Sequence, residues 1–300
     1  MDNIICAETV RDALLTHGFD SVDVIERYNP ASPRIIAKVN AGGTTLIVKG
    51  IPDTVEESII TGNTSSHRFL GQRGLAPALI PFPDGKDYIC ERGFWFYMFE
   101  YVDGELLTNS VKDEKALGEL ARRLHSLEGY TRKTWFDGDI APYRGKYRDK
   151  PWASEYDSVL DSLPELRGTA QCFTHSDIGP HNAMRDRNDT VVFIDLDDSG
   201  VGCRYIDVGF PFIMQFVTGQ KSGEYGYDFD AACAFLRGYY DGAPVPRDEY
   251  DMIWHGAVFM QISYLDVFGP DAVDGMWRIL KFGLTQKEML WKRITEDEVS

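Results

Sequence analysis

The chain has 300 residues, which is enough for about two domains or for one domain with two lobes. Hydrophobic residues make up 43% of it and charged residues 26%, a composition that excludes a disordered chain. The formal net charge is −16, from 31 Lys and Arg against 47 Asp and Glu, and no basic cluster is visible. Because binding to DNA or RNA depends on clustered Lys and Arg, we expect no nucleic-acid partner.

Three features of the sequence bear on where in the cell the protein is expected: its cysteines, its first residues and its apolar segments. None of the five cysteines forms a CxxC pair, which argues against a disulfide framework or a zinc knuckle. The opening sequence MDNIICAETV lacks the basic and apolar regions of a signal peptide, and no uncharged apolar run reaches the roughly 18 residues of a membrane span. We therefore expect a cytoplasmic protein with no membrane partner.

The first third of the chain predicts a helix followed by antiparallel strands. The helix candidate covers 6–17, and the strand candidates cover 21–28, 34–40 and 44–49. Gly42-Gly43 predicts a tight turn between the last two strands. Residues 54–73 predict a helix interrupted at Gly62-Asn63, and the apolar run 94–102 predicts a strand buried on both faces.

Helical patterns dominate the rest of the chain. The predicted helices are 113–128, 228–241, 247–267 and 272–294, while 129–153 reads as a loop and 171–209 as short strands and turns. The whole pattern predicts an α+β, two-lobed fold. Residues 1–102 form a small antiparallel-sheet N-terminal lobe that ends in a hinge, and residues 103–300 form a larger, mostly helical C-terminal lobe.

One motif in the second half carries chemistry. His175, Asp177 and Asn182 have the spacing H-x-D-x-x-x-x-N of a kinase catalytic loop, in which the Asp accepts a hydroxyl proton and the Asn holds magnesium. The apolar strand candidate 191–194 follows and ends in Asp195. Asp and Asn supply the hard oxygen ligands that Mg²⁺ prefers, so these residues predict a phosphoryl-transfer site.

A second interpretation of the same loop is a transition-metal site. His175, Asp177 and His181 form an H-x-D-x-x-x-H pattern that could bind such a metal in a hydrolase. Pro180 disfavours a single helical face for these side chains, and no third histidine lies nearby.

On these residues the chain resembles the aminoglycoside phosphotransferase/choline kinase family, whose fold resembles that of protein kinases. The catalytic loop is matched by His175, Asp177 and Asn182, and the metal-binding aspartate by Asp195. The other matches are Lys49 for the phosphate-binding lysine, Glu100–Gly104 for the hinge, Leu120–His125 for the following helix, and Gly202 with Asp207 for the Gly-x-x-x-x-Asp pattern.

The resemblance implies ATP and Mg²⁺ as cofactors and a small hydroxyl-bearing molecule as the acceptor of the γ-phosphate. Asp177 is then the catalytic carboxylate, and Asn182 and Asp195 are the metal ligands. Lys49 contacts the phosphates, while the carbonyl of Glu100 and the N–H of Val102 bind the adenine. Asp207 is expected to brace the catalytic loop through backbone amides.

The chain departs from the family pattern in two places. The phosphate-covering turn, residues 29–33, has no glycine, although glycine eases a close backbone approach to phosphate. The helix position that should hold a glutamate for Lys49 holds Asn63, so Glu56 or Glu57 is a possible substitute.

Two other functions stay open at this point. The departures favour a nucleotide-binding module without catalysis, but the presence of Asp177, Asn182 and Asp195 counts against it. A protein Ser/Thr kinase is less favoured, because only eleven residues separate Asp195 from Asp207 and leave no room for an activation loop. For Asp197 and Asp198, solvation in a loop is favoured, with contact of one of them to a second metal ion or to the substrate as the alternative. The acceptor pocket is expected to use acidic and aromatic residues, which suit a hydroxylated amine: Trp135, Asp137, Asp139, Trp152, Glu155 and Tyr156.

Overall fold

The computed structural model describes residues 3–29 and 32–297, so Pro30 and Ala31 of the glycine-free turn lie outside the described residues. The strands are β1 (Val22–Tyr28), β2 (Ile35–Ala41), β3 (Thr44–Pro52), β4 (Leu79–Ile80), β5 (Tyr88–Glu91), β6 (Phe94–Glu100), β7 (Gly104–Leu106), β8 (Gln171–Thr174), β9 (Ala183–Asp186), β10 (Val191–Phe193), β11 (Gly200–Cys203), β12 (Val217–Thr218) and β13 (Gly226–Tyr227). The helices are α1 (Asn3–Thr16), α2 (Glu57–Gly71), α3 (Val111–His125), α4 (Ala153–Asp161), α5 (Arg204–Met214), α6 (Phe229–Tyr239), α7 (Arg247–Ser263) and α8 (Val273–Asp297).

The chain divides into two compact units. The first lies within Met1–Glu105 and Met184–Asp197, and the second within Leu106–Ala183 and Asp198–Ser300. A small antiparallel sheet characterises the first unit and helices the second, so the α+β expectation is confirmed.

The sheet of the first unit has the order β1-β2-β3-β6-β4, and β5 also pairs with β6. All of its pairs are antiparallel. Buried and half-buried residues alternate along β2, as the period of a strand with one face on the core requires. Gly42 and Gly43 have φ of 58° and 83°, which a two-residue hairpin turn demands and glycine adopts readily. The predicted β2–β3 hairpin is confirmed.

Two departures from the predicted elements of the first unit have a clear physical origin. Helix α2 runs without a break through Gly62 and Asn63, although both residues have low helix propensity. The reason is tertiary: Asn63 is fully buried, and its amide donates to the carboxylate of Asp197 instead of competing with the helix backbone. Strand β6 ends at Glu100, where its N–H donates to Ala78, rather than at Val102.

The second unit is built on two packed helix pairs, α3 with α6 and α5 with α7. Gly118 allows the first pair to approach closely, because a side chain there would collide with the backbone of Phe235. Helix α4 and most of α5 were not predicted, because α4 has only nine residues and α5 is buried at nine of its 11 positions, so neither shows a clear helical period. Among the described residues, no helix is long and apolar enough to cross a membrane.

Candidate active site

The loop predicted to be catalytic follows β8, which pairs with β11 in the second unit. Asp207, in the first turn of α5, accepts the backbone N–H of His175 at 2.7 Å and that of Ser176 at 2.6 Å. Its Oδ2 also lies 2.9 Å from Nε2 of His125. Ser176 has a φ of 73°, a conformation that costs energy unless its surroundings fix it. Asp207 therefore braces the loop, as the resemblance implied, and the side chain of its partner His125 is 4% exposed.

Asp177 and Asn182 lie together in this loop. Asn182 is 5% exposed, and its Nδ2 donates to the backbone oxygen of Asp177 at 3.0 Å and to Oδ2 of Asp177 at 2.7 Å. The side chain of Asp177 is 34% exposed, and Nε2 of His181 lies 3.5 Å from its other oxygen. Since the amide nitrogen of Asn182 is engaged, its Oδ1 is the atom available as a ligand. The pair thus combines an accessible carboxylate with a fixed oxygen donor.

Tyr264, at the end of α7, is a neighbour of Asp177 that the sequence analysis missed. Burial raises the pKa of the Tyr264 hydroxyl, and the negative charges of Asp177 and Asp198 raise it further. The Tyr264 ring stacks on Phe136, with 5.9 Å between ring centroids. The hydroxyl therefore stays protonated beside the carboxylate. A tyrosine at the end of an aromatic-rich helix looks like a core residue, so the sequence held no signal for this position.

Lys49 and Asp195 lie together in the first unit. Lys49 lies on β3 opposite Tyr97 of β6, and it is 3% exposed, so it is no solvated edge lysine. Its Nζ is 2.6 Å from Oδ1 of Asp195 and 2.7 Å from Oδ2 of Asp197. Asp195 follows β10 with a φ of 56°, a left-handed conformation that Asp tolerates better than most residues.

The charge of Lys49 is set by these neighbours. Burial alone would lower the pKa of Lys49, but Tyr97, Asp197 and Asp195 outweigh burial, so the pKa is raised. The lysine is therefore a permanent cation. His67, on α2, shows the opposite effect: burial and then the positive charge of Lys49 lower its pKa to about 4, so it is neutral near pH 7.

The expectation that Asp197 is solvated was wrong. Its residue exposure is 7%, and its carboxylate accepts hydrogen bonds from Asn63 and Tyr97 as well as pairing with Lys49. Neither Glu56 nor Glu57, the suggested substitutes, is the acid that pairs with Lys49. Glu56 contacts Ser58, and Glu57 accepts from Tyr88. The ion pairs of Lys49 are made with Asp195 and Asp197.

The predicted adenine contacts lie at the end of β6 in the first unit. The N–H of Glu100 donates to the Ala78 carbonyl at 3.0 Å, and the Glu100 side chain accepts the Ala78 N–H at 3.3 Å. Val102 follows in an irregular, partly buried segment. The hinge contacts assigned to these two residues stay a prediction.

Comparison with known proteins bears on the family. Residues 41–243 match the sequence model described as APH, a phosphotransferase enzyme family. The chain belongs to this phosphotransferase family. A search of curated protein sequences finds no match.

Solved structures of similar fold agree with this family. A choline kinase from Cryptosporidium parvum Iowa II is 13% identical, with 97% of each chain covered and a TM-score of 0.65. An aminoglycoside phosphotransferase from Alicyclobacillus acidocaldarius is 13% identical, with 95% of each chain covered and a TM-score of 0.63. A spectinomycin phosphotransferase in complex with ADP and spectinomycin is 15% identical, with 95% of this chain and 97% of that chain covered and a TM-score of 0.59. The two-lobed, kinase-like fold is confirmed.

The metal ligands expected of this family can be tested on the donor atoms. Asn182 and Asp195 offer only oxygen donors, and the Asp195 side chain is 46% exposed, so both residues fit a hard cation such as Mg²⁺. In the described ranges 3–29 and 32–297, no group of three or more His, Cys, Asp or Glu side chains is arranged for a metal ion. His175 is buried and His181 is largely exposed, which counts against the transition-metal interpretation of this loop.

Three of the side chains expected in the acceptor pocket are used for packing. Trp152 stacks on Trp277 at 4.8 Å between ring centroids, and Tyr156 packs edge-on against Trp277 at 5.9 Å. Glu155 forms an ion pair with Lys281 at 2.9 Å. These contacts join the three residues to α8 within the second unit, and their place in the acceptor pocket stays a prediction.

The other three side chains differ from these. Trp135 is 64% exposed, which is unusual for a tryptophan. Asp137 and Asp139 each lie 3.2 Å from the guanidinium of Arg167, on the surface of the same unit. They keep the acidic and aromatic character that was expected of the acceptor region.

Proposed function

We propose that the protein is an ATP-dependent kinase that transfers the γ-phosphate to a hydroxyl group of a small molecule. The observation that carries this proposal is the Asp177–Asn182 pair, in which an accessible carboxylate is held at 2.7 Å by an amide whose oxygen remains available. The family match supports it, since the family is one of phosphotransferases.

Each residue has a defined part in this proposal. Asp177 orients the acceptor hydroxyl and receives its proton as the bond to phosphorus forms. Lys49, a permanent cation, contacts the phosphates, and Asn182 and Asp195 are the Mg²⁺ ligands. The Glu100 carbonyl and the Val102 N–H bind the adenine edge. Mg²⁺, when bound, neutralises negative charge on the phosphates, so the residues mainly supply position and charge.

A hydroxylated amine, such as an amino alcohol or an aminoglycoside, is the acceptor we favour. A cationic acceptor suits a chain with a net charge of −16. Similar structures include a choline kinase and a spectinomycin phosphotransferase. A peptide acceptor is not favoured, because β11 and α5 follow Asp195 directly and leave no activation loop.

A screen of ATP consumption tests this function. Purified protein is incubated with ATP, Mg²⁺ and separate sets of amino alcohols, aminoglycosides, sugars and nucleosides, and ADP release is followed with and without EDTA. We expect release that depends on an acceptor and stops with EDTA. Binding of ATP without transfer to any acceptor would favour the non-catalytic alternative. A protein that binds no ATP would refute the proposal.

A further inference from the structure

The carboxylate of Asp197 is surrounded by four donors from the first unit. Its Oδ2 is 2.8 Å from Nη1 of Arg34 and 2.7 Å from Nζ of Lys49. Its Oδ1 accepts from Nδ2 of Asn63 at 3.1 Å and from the hydroxyl of Tyr97 at 3.0 Å. A carboxylate has about four acceptor sites, so this side chain is fully used and held in one orientation.

Asp195 and Asp197 share Lys49 but differ in environment. The side chain of Asp195 is 46% exposed, whereas that of Asp197 is 9% exposed. Asp195 is therefore accessible to a metal ion, and its contact with Lys49 competes with that use. Asp197 is the less accessible partner of Lys49, so a metal ion would compete with its contact less than with that of Asp195.

Helix α2 presents an amide at the position where protein kinases have the acid that pairs with the strand lysine. In protein kinases the strand lysine must pair with a glutamate of the helix after it for activity. In this chain α2 presents Asn63, which is fully buried and donates to Asp197. The amide thus connects the helix to an acid that comes from the segment after β10.

We propose that Asp197 is the positioning residue for Lys49, taking the part that the helix glutamate has in protein kinases. Asn63, Tyr97 and Arg34 fix its carboxylate, and the carboxylate fixes Lys49 for contact with the phosphates. This inference rests on the proposed function, because Lys49 contacts phosphates only if the protein binds ATP.

Calorimetry with three ligands tests the inference: ATP with Mg²⁺, ATP with EDTA, and adenosine, which lacks phosphates. In Asp197→Asn we expect the affinity for ATP to fall about 10- to 100-fold with or without Mg²⁺, the size of one lost bond between charged groups. Adenosine affinity should stay within about two-fold, since positioning of Lys49 does not affect the base. Asp23→Asn, the same change at an exposed position of β1, is the control and should change neither the ATP affinity nor the adenosine affinity.

Three results in a folded Asp197→Asn protein would overturn the inference. They are unchanged ATP affinity, equal losses for ATP and adenosine, and a loss seen only with Mg²⁺, which would identify Asp197 as a metal ligand. Wild-type protein that binds no ATP would refute the proposed function itself, so the two failures are distinguishable.

A second pair of variants tests the inference if Asp197→Asn does not fold. Lys49→Met and Lys49→Met/Asp197→Asn are compared, because the double variant leaves no unpaired buried charge at this place. If Asp197 acts through Lys49, its loss in this background should change ATP affinity less than about two-fold, since coupled residues are not additive. A further loss of about 10-fold or more in the double variant relative to Lys49→Met would overturn the inference.

Discussion

Replacing Glu114 with glutamine should change how stability depends on pH. Glu114 lies on α3 with no exposed surface, and its Oε2 has no hydrogen-bond partner in the described part of the chain. Gln215 donates to its other oxygen. Burial, and then the charges of Asp228 and Asp113, raise the pKa of Glu114 to about 8.

The sign and size follow from linkage. Between pH 4.5 and about 8 the folded protein keeps a proton on Glu114 that the unfolded chain releases. Stability is therefore fully present below the unfolded pKa and is lost as the pH rises through the folded pKa. In this range the free energy of unfolding falls by up to about 1.4 kcal/mol for each pH unit. Its total fall between pH 5 and pH 8 is therefore on the order of 3 kcal/mol.

Urea unfolding of the wild type and of Glu114→Gln at pH 5 and pH 8 measures this loss. The difference in free energy of unfolding between the two proteins should shift by about 3 kcal/mol in favour of the variant at the higher pH. Glu119→Gln, at a 45% exposed side chain of the same helix, is the control and should show no such shift. Parallel pH profiles for the wild type and Glu114→Gln would refute the reasoning.

Four further variants test the site. Asp195→Ala should lose the Mg²⁺-dependent part of ATP binding. Calorimetry that shows unchanged, metal-independent binding would exclude Asp195 as a metal ligand. Glu100→Gln should keep ATP affinity within a few-fold, because the new side chain can still accept the N–H of Ala78. Val102→Pro, shown to be folded by circular dichroism, should lose about 1–3 kcal/mol of ATP binding, and undiminished affinity would place the adenine elsewhere. Asp207→Asn should lower the free energy of unfolding by roughly 1–3 kcal/mol and reduce turnover, because the single amide oxygen of Asn cannot accept both backbone N–H groups of the loop. An unchanged midpoint of unfolding would contradict this prediction.

Local patterns made much of the fold predictable. The alternation along β2 and the Gly42-Gly43 turn depend on neighbours in sequence, so the hairpin could be predicted from a few residues. The spacing of Asp177 and Asn182 is likewise local, and the structure joins the two side chains. Where geometry within one loop decides the arrangement, the sequence is sufficient.

The surroundings of Asp197 could not be predicted in this way. Its partners Arg34, Asn63 and Tyr97 are 163, 134 and 100 residues away in the chain. Propensity misled at Asn63, because a buried hydrogen bond formed only in the folded protein overrides the low helix preference of that residue. The sequence showed that the helix position expected to supply an acid for Lys49 holds Asn63, but not which acid pairs with the lysine instead.

The most direct test of the account is the transfer of labelled γ-phosphate from ATP to the best acceptor, measured for the wild type and for Asp177→Asn. Calorimetry first establishes that both proteins bind ATP with Mg²⁺. We expect Asp177→Asn to be folded, to bind ATP normally and to transfer phosphate roughly 10²–10⁴-fold more slowly, the usual effect of losing a general base. Transfer by Asp177→Asn at a rate close to that of the wild type would contradict the central claim.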